Sequence, residues 1–145
     1  NTDAAFWKIA LSLVDRMGPV TTNRLLTAFG SAQSVFEASA AELGSLQGVP
    51  AYVVKQIIAK STLQRAEKEF QFVTDNQVRV FQIGDDDYPY RLRQCPDAPA
   101  ILYKKGEFDH NHPRVLGIVG TRNATNYGKD VCAKIISEIA GENVL

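Results

Sequence analysis

Residues 115–128 read Val115-Leu116-Gly117-Ile118-Val119-Gly120-Thr121-Arg122-Asn123-Ala124-Thr125-Asn126-Tyr127-Gly128, and they decide the fold class. Val115 to Val119 is a continuous apolar run with no polar alternation, the pattern of a strand buried on both faces of a parallel sheet. Gly120 to Thr125 gathers glycine, hydroxyl and amide residues into a turn. From about Tyr127 to Ala140, Val131, Ile135, Ile136 and Ile139 recur at helical spacing, and Gly141 is placed to stop that helix. Asn143-Val144-Leu145 looks like a new strand beginning. Strand, turn and helix make half of a βαβ unit, and one such unit cannot form an independent sheet. The natural domain is therefore expected to continue beyond Leu145; a small α+β domain that ends there is the alternative.

The turn has its own chemistry. Gly120 follows the strand and precedes the helix, so the loop lies at the carboxyl edge of the sheet, where α/β folds bind ligands. Backbone amides and the positive end of the helix dipole favour a phosphate there. Thr121 offers a hydroxyl, Arg122 a planar fork that bridges phosphate oxygens or stacks on a base, and Asn123 and Thr125 further donors. The bland reading of Arg122 is a surface arginine paired with an acid. Lys129 divides evenly between a ligand contact and a solvated helix residue. The spacing Gly117-x-x-Gly120 is not the dinucleotide fingerprint, and no Gly-Lys-Ser/Thr of a phosphate-binding loop appears.

Upstream, Val78, Val80, Phe81 and Ile83 predict a strand, Asp85 to Pro99 a polar, proline-punctuated connector, and Ala100 to Lys104 a second strand ended by Gly106. Before Asn76 the chain is helical. Phe6, Ile9, Ala10, Leu13, Val14 and Met17 share one helical face until Gly18-Pro19 breaks it. Leu25, Leu26 and Phe29 mark a second helix with Gly30 at its left-handed stop, Ser31 caps a third, and Ser39 with Glu42 has the spacing of a capping box for a fourth from Ala40. After Gly48-Val49-Pro50, Val54, Ile57 and Ile58 open a helix whose spacing continues through Leu63, Ala66, Phe70 and Val73 to about Thr74. The domains expected are 1–76, all helical, and 77–145, the first part of a parallel α/β domain.

Gly18-Pro19 and Gly48-Val49-Pro50, each followed by a helix, resemble the hairpins of helix-hairpin-helix (or SAM-like) domains of DNA-repair and recombination proteins. Those hairpins present backbone amides to a phosphate. Gly18, Gly48 and Val49 would supply the amides and Lys55 charge. Each hairpin keeps only one of the usual two glycines, so a packing or protein-docking role is the stronger alternative.

The 145 residues carry sixteen basic and sixteen acidic side chains, and both halves are balanced: seven of each precede Asn76 and nine of each follow it. Nucleic-acid binding would thus come from a local site, not a global positive field. Cys95 and Cys132 are far apart and read as reduced thiols. The start of the chain, Asn1 to Ala10 with Asp3, lacks the pattern of a signal peptide, and no run approaches a membrane span. His110-Asn111-His112 reads as a solvated loop, not a metal site, Asp85-Asp86-Asp87 as a charged turn, and Trp7 as core. No nucleophile–base pair appears, so no catalytic residue, metal or cofactor is expected.

The order Tyr88-Pro89, Leu92, Pro96-Asp97-Ala98-Pro99, Ile101-Leu102-Tyr103, Gly106, then Gly120-Thr121-Arg122 and Tyr127-Gly128, resembles the DNA-processing protein A family (DprA, also called Smf). That family has a Tyr-Pro connector, then a Gly-Ser/Thr-Arg turn opening an extended Rossmann fold, behind a helical domain. The resemblance implies a cytoplasmic, non-enzymatic protein of natural transformation and DNA uptake in competent cells. It implies binding and protection of incoming single-stranded DNA, loading of the recombinase RecA, displacement of single-strand binding protein, and a homodimer through the Rossmann domain. It makes Arg122 the principal DNA contact, with Gly120, Thr121, Asn123 and Thr125 around it. Two other readings stay open: a nucleotide-phosphate-processing enzyme of the lysine-decarboxylase-like kind, and a docking module that binds no DNA.

Overall fold

The computed structural model describes residues 2–145, with side chains from Ala4 onward; Asn1 and the Asp3 side chain, which entered the reading of the N-terminus, lie outside the described residues. Two compact units form, Asn1–Gly106 and Glu107–Leu145.

The first unit holds α1 (Thr2–Ser12), α2 (Pro19–Phe29), α3 (Ala32–Glu37), α4 (Ala40–Ser45), α5 (Ala51–Ile58), α6 (Leu63–Asp75), β1 (Arg79–Gln82), α7 (Tyr90–Arg93) and β2 (Ile101–Lys104). Its core is built from the apolar stripes: Ile9 and Leu11 of α1, Leu25 of α2, Val35 of α3, Leu43 of α4, and Val53 and Ile57 of α5 are fully buried. Trp7 belongs to this packing, with its ring 5.1 Å from Phe6 and 5.5 Å from Phe36, and Phe6 lies edge-on to Phe70 at 6.1 Å. The local signals act where expected. Ser31 Oγ accepts from the Ser34 amide at 3.0 Å. Ser39 and Glu42 form the reciprocal capping box, and those hydrogen bonds hold the Glu42 carboxyl below its ordinary pKa. Gly30, at φ 80°, donates its N–H to Leu26 O at 2.8 Å.

Three features depart from expectation. The first helix ends at Ser12, not Met17: the chain turns over 13–17 with Arg16 at φ 56°, and Met17 reaches the core from outside the helix. The helix expected to run on to Thr74 is broken. Lys60, at φ 51°, sends its N–H to Ile57 O (3.0 Å) while Ser61 N–H reaches Gln56 O (3.3 Å), the paired bonds of a Schellman stop. Gln77, at φ 53°, closes α6 the same way, its N–H on Thr74 O and that of Val78 on Val73 O.

The connector, third, is folded. Tyr88 is fully buried and its hydroxyl donates to Pro99 O at 2.6 Å. Ala98 and Ala100 are buried, and Asp85 pairs with Lys8 of α1 at 2.6 Å. β1 and β2 pair antiparallel, with Arg79 opposite Lys104 and Gln82 opposite Ile101. Val80 packs on the helical core, so the first unit runs past the composition change at Asn76. Among the described residues this two-stranded sheet is the one that forms; the parallel sheet expected of a Rossmann-like domain is not among them.

The second unit contains α8 (Asn126–Ile139). The run 115–119 was expected buried on both faces; instead Leu116 and Ile118 are half exposed and Val119 is 96% exposed. The reason is packing: α8 offers an apolar surface on one side, leaving a groove of about 330 Å³ lined by Leu116, Ile118, Ile136, Ile139, Val144 and Leu145. The strand pairing itself has a first rung. Leu145 donates to Arg114 O (2.9 Å) and accepts from the Leu116 amide (2.8 Å), one residue bonding two on its neighbour, as in parallel pairs. His112, read as part of a solvated loop, helps to clamp this rung. Its Nε2 lies 3.2 Å from Asn143 Oδ1 and its Nδ1 2.8 Å from Arg114 O, while Arg114 Nη1 donates to Glu142 O at 2.6 Å. Asn143, not Gly141, takes the left-handed position, at φ 50°.

Candidate nucleic-acid interface

The glycine turn lies at the end of the rung and ahead of α8, and residues 120–125 are all exposed. Thr125 is the N-cap (φ −68°, ψ 160°), and its Oγ1 accepts from the Gly128 amide at 3.1 Å. Its carbonyl accepts from Lys129 N–H at 3.0 Å. Thr125 therefore organises the helix start through one lone pair of its hydroxyl, and the O–H keeps its capacity to donate. Thr121 Oγ1 donates to Asn123 O at 3.1 Å, which tightens the turn around Arg122. Helix geometry leaves the Asn126 and Tyr127 amides without intrahelical acceptors. Among the described residues no acid forms an ion pair with Arg122. Lys129 is exposed in the first turn of α8.

The two hairpins are in a different state. Arg24, on the helix after the first hairpin, donates to Gln47 O in the second at 2.6 Å. Gly48 has φ 81°, and a Cβ there would stand 1.7 Å from Arg24 Nη1. In return, the helix after the second hairpin holds the first. Tyr52 OH donates to Arg16 O (2.8 Å), and Gln56 brackets Asp15, accepting from its amide (3.1 Å) and donating to its carbonyl (3.3 Å). The Val49 amide is spent on Leu46 O at 3.2 Å. Gly18, at φ −78°, is the N-cap of α2, with open space where a Cβ would go. Lys55 is exposed in the last turn of α5. So of the four residues expected to reach a phosphate, Val49 has no free amide and Gly48 lies against a guanidinium; the hairpins hold each other. Arg24, Tyr52 and Gln56 escaped sequence reading because their partners lie 23 to 41 residues away.

Residues 79–145 match the family model described as DNA recombination-mediator protein A. The protein Smf of Synechocystis sp. is 32% identical over 142 residues, covering 93% of this chain and 35% of Smf. The chain belongs to the DprA/Smf family. The DNA processing protein DprA of Bacillus subtilis is 40% identical over 63 residues (43% of this chain, 21% of that protein). DprA of Streptococcus pneumoniae is 33% identical over 78 residues (54% and 26%). The chain thus spans about a third or less of the length of these DprA/Smf relatives, and no solved structure matches it. The family places the chain in DNA processing and recombination. Among the described residues no group of His, Cys, Asp and Glu is arranged to hold a metal ion, and no helix is long and apolar enough to cross a membrane.

Proposed function

We propose that this DprA/Smf protein is a single-stranded DNA-binding recombination mediator of natural transformation, and that the turn 120–125 is where the strand is held. The observation that carries the reading is the exposed Arg122, set between the strand rung and the N-terminus of α8. Arg122 bridges phosphate oxygens, the amides at Gly120 and at the helix start add donors, and Thr121 and Asn123 fix the loop. Thr125 serves by capping. The mediator family model covers this part of the chain, which supports the reading. In it, residues 77–145 are the N-terminal part of a Rossmann-like domain whose remainder carries the homodimer surface. The protein is cytoplasmic and catalyses nothing itself; it protects incoming DNA, loads RecA and displaces single-strand binding protein. Residues 1–76 are a helix-hairpin-helix or SAM-like domain. The mutual hairpin contacts favour a docking role for it over direct phosphate contact at Gly18, Gly48, Val49 or Lys55.

Fluorescence anisotropy of labelled single-stranded DNA with the natural full-length protein, over a salt series, tests this. Affinity falls as salt rises, and Arg122→Ala loses about 1–3 kcal/mol of binding free energy. Tight binding that ignores Arg122→Ala moves the site elsewhere. No binding at low salt refutes the mediator reading.

A further inference from the structure

The chain has five tyrosines, and four have a visible structural use. Tyr88 donates to Pro99 O and Tyr52 to Arg16 O. Tyr103 shares a hydrogen bond with Ser12, and the Arg91 guanidinium lies over the Tyr90 ring at 4.8 Å. Tyr127 is the exception. Its side chain has no hydrogen-bond or ring partner among the described residues, and it is 78% exposed, more than any of the other four. It sits in the first turn of α8, two residues after the Thr125 cap. Tyr127 lies five positions after Arg122, a span of at most about 18 Å, which a strand of a few nucleotides covers.

We infer that Tyr127 is a base-stacking platform of the same site. This rests on the reading that the turn holds single-stranded DNA. Strand-binding surfaces pair cationic contacts to the backbone with aromatic faces on which bases stack, without sequence preference because every base has a π-face. Arg122 supplies the first and Tyr127 the second. The competing use is packing: Tyr127 lies four and eight residues before Val131 and Ile135, which are 36% and 38% exposed. Packing predicts loss of fold stability, and stacking predicts loss of base-dependent affinity.

The experiment uses the natural full-length protein and two labelled ligands of equal length, oligo-dT and an abasic oligonucleotide that keeps the phosphates. The wild type should prefer oligo-dT. Tyr127→Ala should lose roughly tenfold on oligo-dT and little on the abasic strand, with an unchanged melting temperature, and Tyr127→Trp should restore the preference. Arg122→Ala should weaken both ligands. If Arg122→Ala weakens binding while Tyr127→Ala matches wild type on both strands, stacking is overturned and the site reading survives. If Tyr127→Ala lowers the melting temperature and weakens both ligands equally, packing wins. If neither variant changes binding, the site reading falls and stacking with it.

Discussion

Gly48 shows how one residue can hold two elements together. Its φ of 81° favours glycine, because a Cβ in the left-handed region meets the backbone. The Arg24 guanidinium occupies the place a Cβ would take. Gly48→Ala therefore costs backbone strain of about 1 kcal/mol. It also displaces the flexible end of Arg24, which loses its 2.6 Å bond to Gln47 O. Arg24 is exposed, so that bond adds only about 0.5–1.5 kcal/mol. Urea unfolding of the single and double variants separates the terms. Gly48→Ala should cost about 1.5–2.5 kcal/mol alone and about 1 kcal/mol in an Arg24→Ala background. Equal costs in both backgrounds would mean that Arg24 does not hold the hairpin.

At the scale of elements, the folded connector is the piece that sequence reading missed, and Tyr88 is its anchor. Burial raises the Tyr88 pKa, Cys95 adds to the rise, and Arg93 opposes it. A phenol whose folded pKa is raised is protonated more readily in the native state. Its contribution to stability is complete below the unfolded value of about 10 and is lost as pH rises through the raised one. Wild type should thus lose stability on titration above about pH 10, and Tyr88→Phe should lose less over that window. At neutral pH the same substitution removes the hydroxyl bond to Pro99 O, at a cost of about 1–2 kcal/mol; melting curves at neutral and alkaline pH read both effects. The elements that were legible depend on near neighbours. The Ser39–Glu42 box, the Gly30 stop and the start of α8 all act within four residues, and composition alone located Gly120 to Thr125 as a turn. The stop at Lys60 was not legible, because a residue with a Cβ stands where glycine is usual, whereas the end expected at about Thr74 falls at Asp75. The Tyr88 burial and the Arg24–Gln47 bond join distant segments, which no periodicity reports. In the turn itself residue types marked Thr125 as a donor, and only the geometry reveals that its oxygen serves the helix.

At the scale of the molecule, the division of labour between the units sets what can fold without what. Residues 77–106 return onto the helices. Val78 and Val80 pack on the core, Ala100 is within it, Asp85 pairs with Lys8, and Tyr103 meets Ser12. Burial of an apolar side chain is worth about 1.5–3 kcal/mol when complete, and a small domain holds only about 5–15 kcal/mol in all. Losing two partly buried valines, a buried alanine and a partly buried ion pair therefore removes a large share of that margin. A piece ending at Gly106 should melt in one cooperative transition. A piece ending at Asn76 should melt at least about 10 °C lower, since each kcal/mol shifts a domain of this size by about 4–8 °C, or show no transition. Equal melting temperatures would make the hairpin and connector passengers on an autonomous helical domain. A cooperative 1–106 piece with a labile 1–76 piece would make the connector part of the helical body.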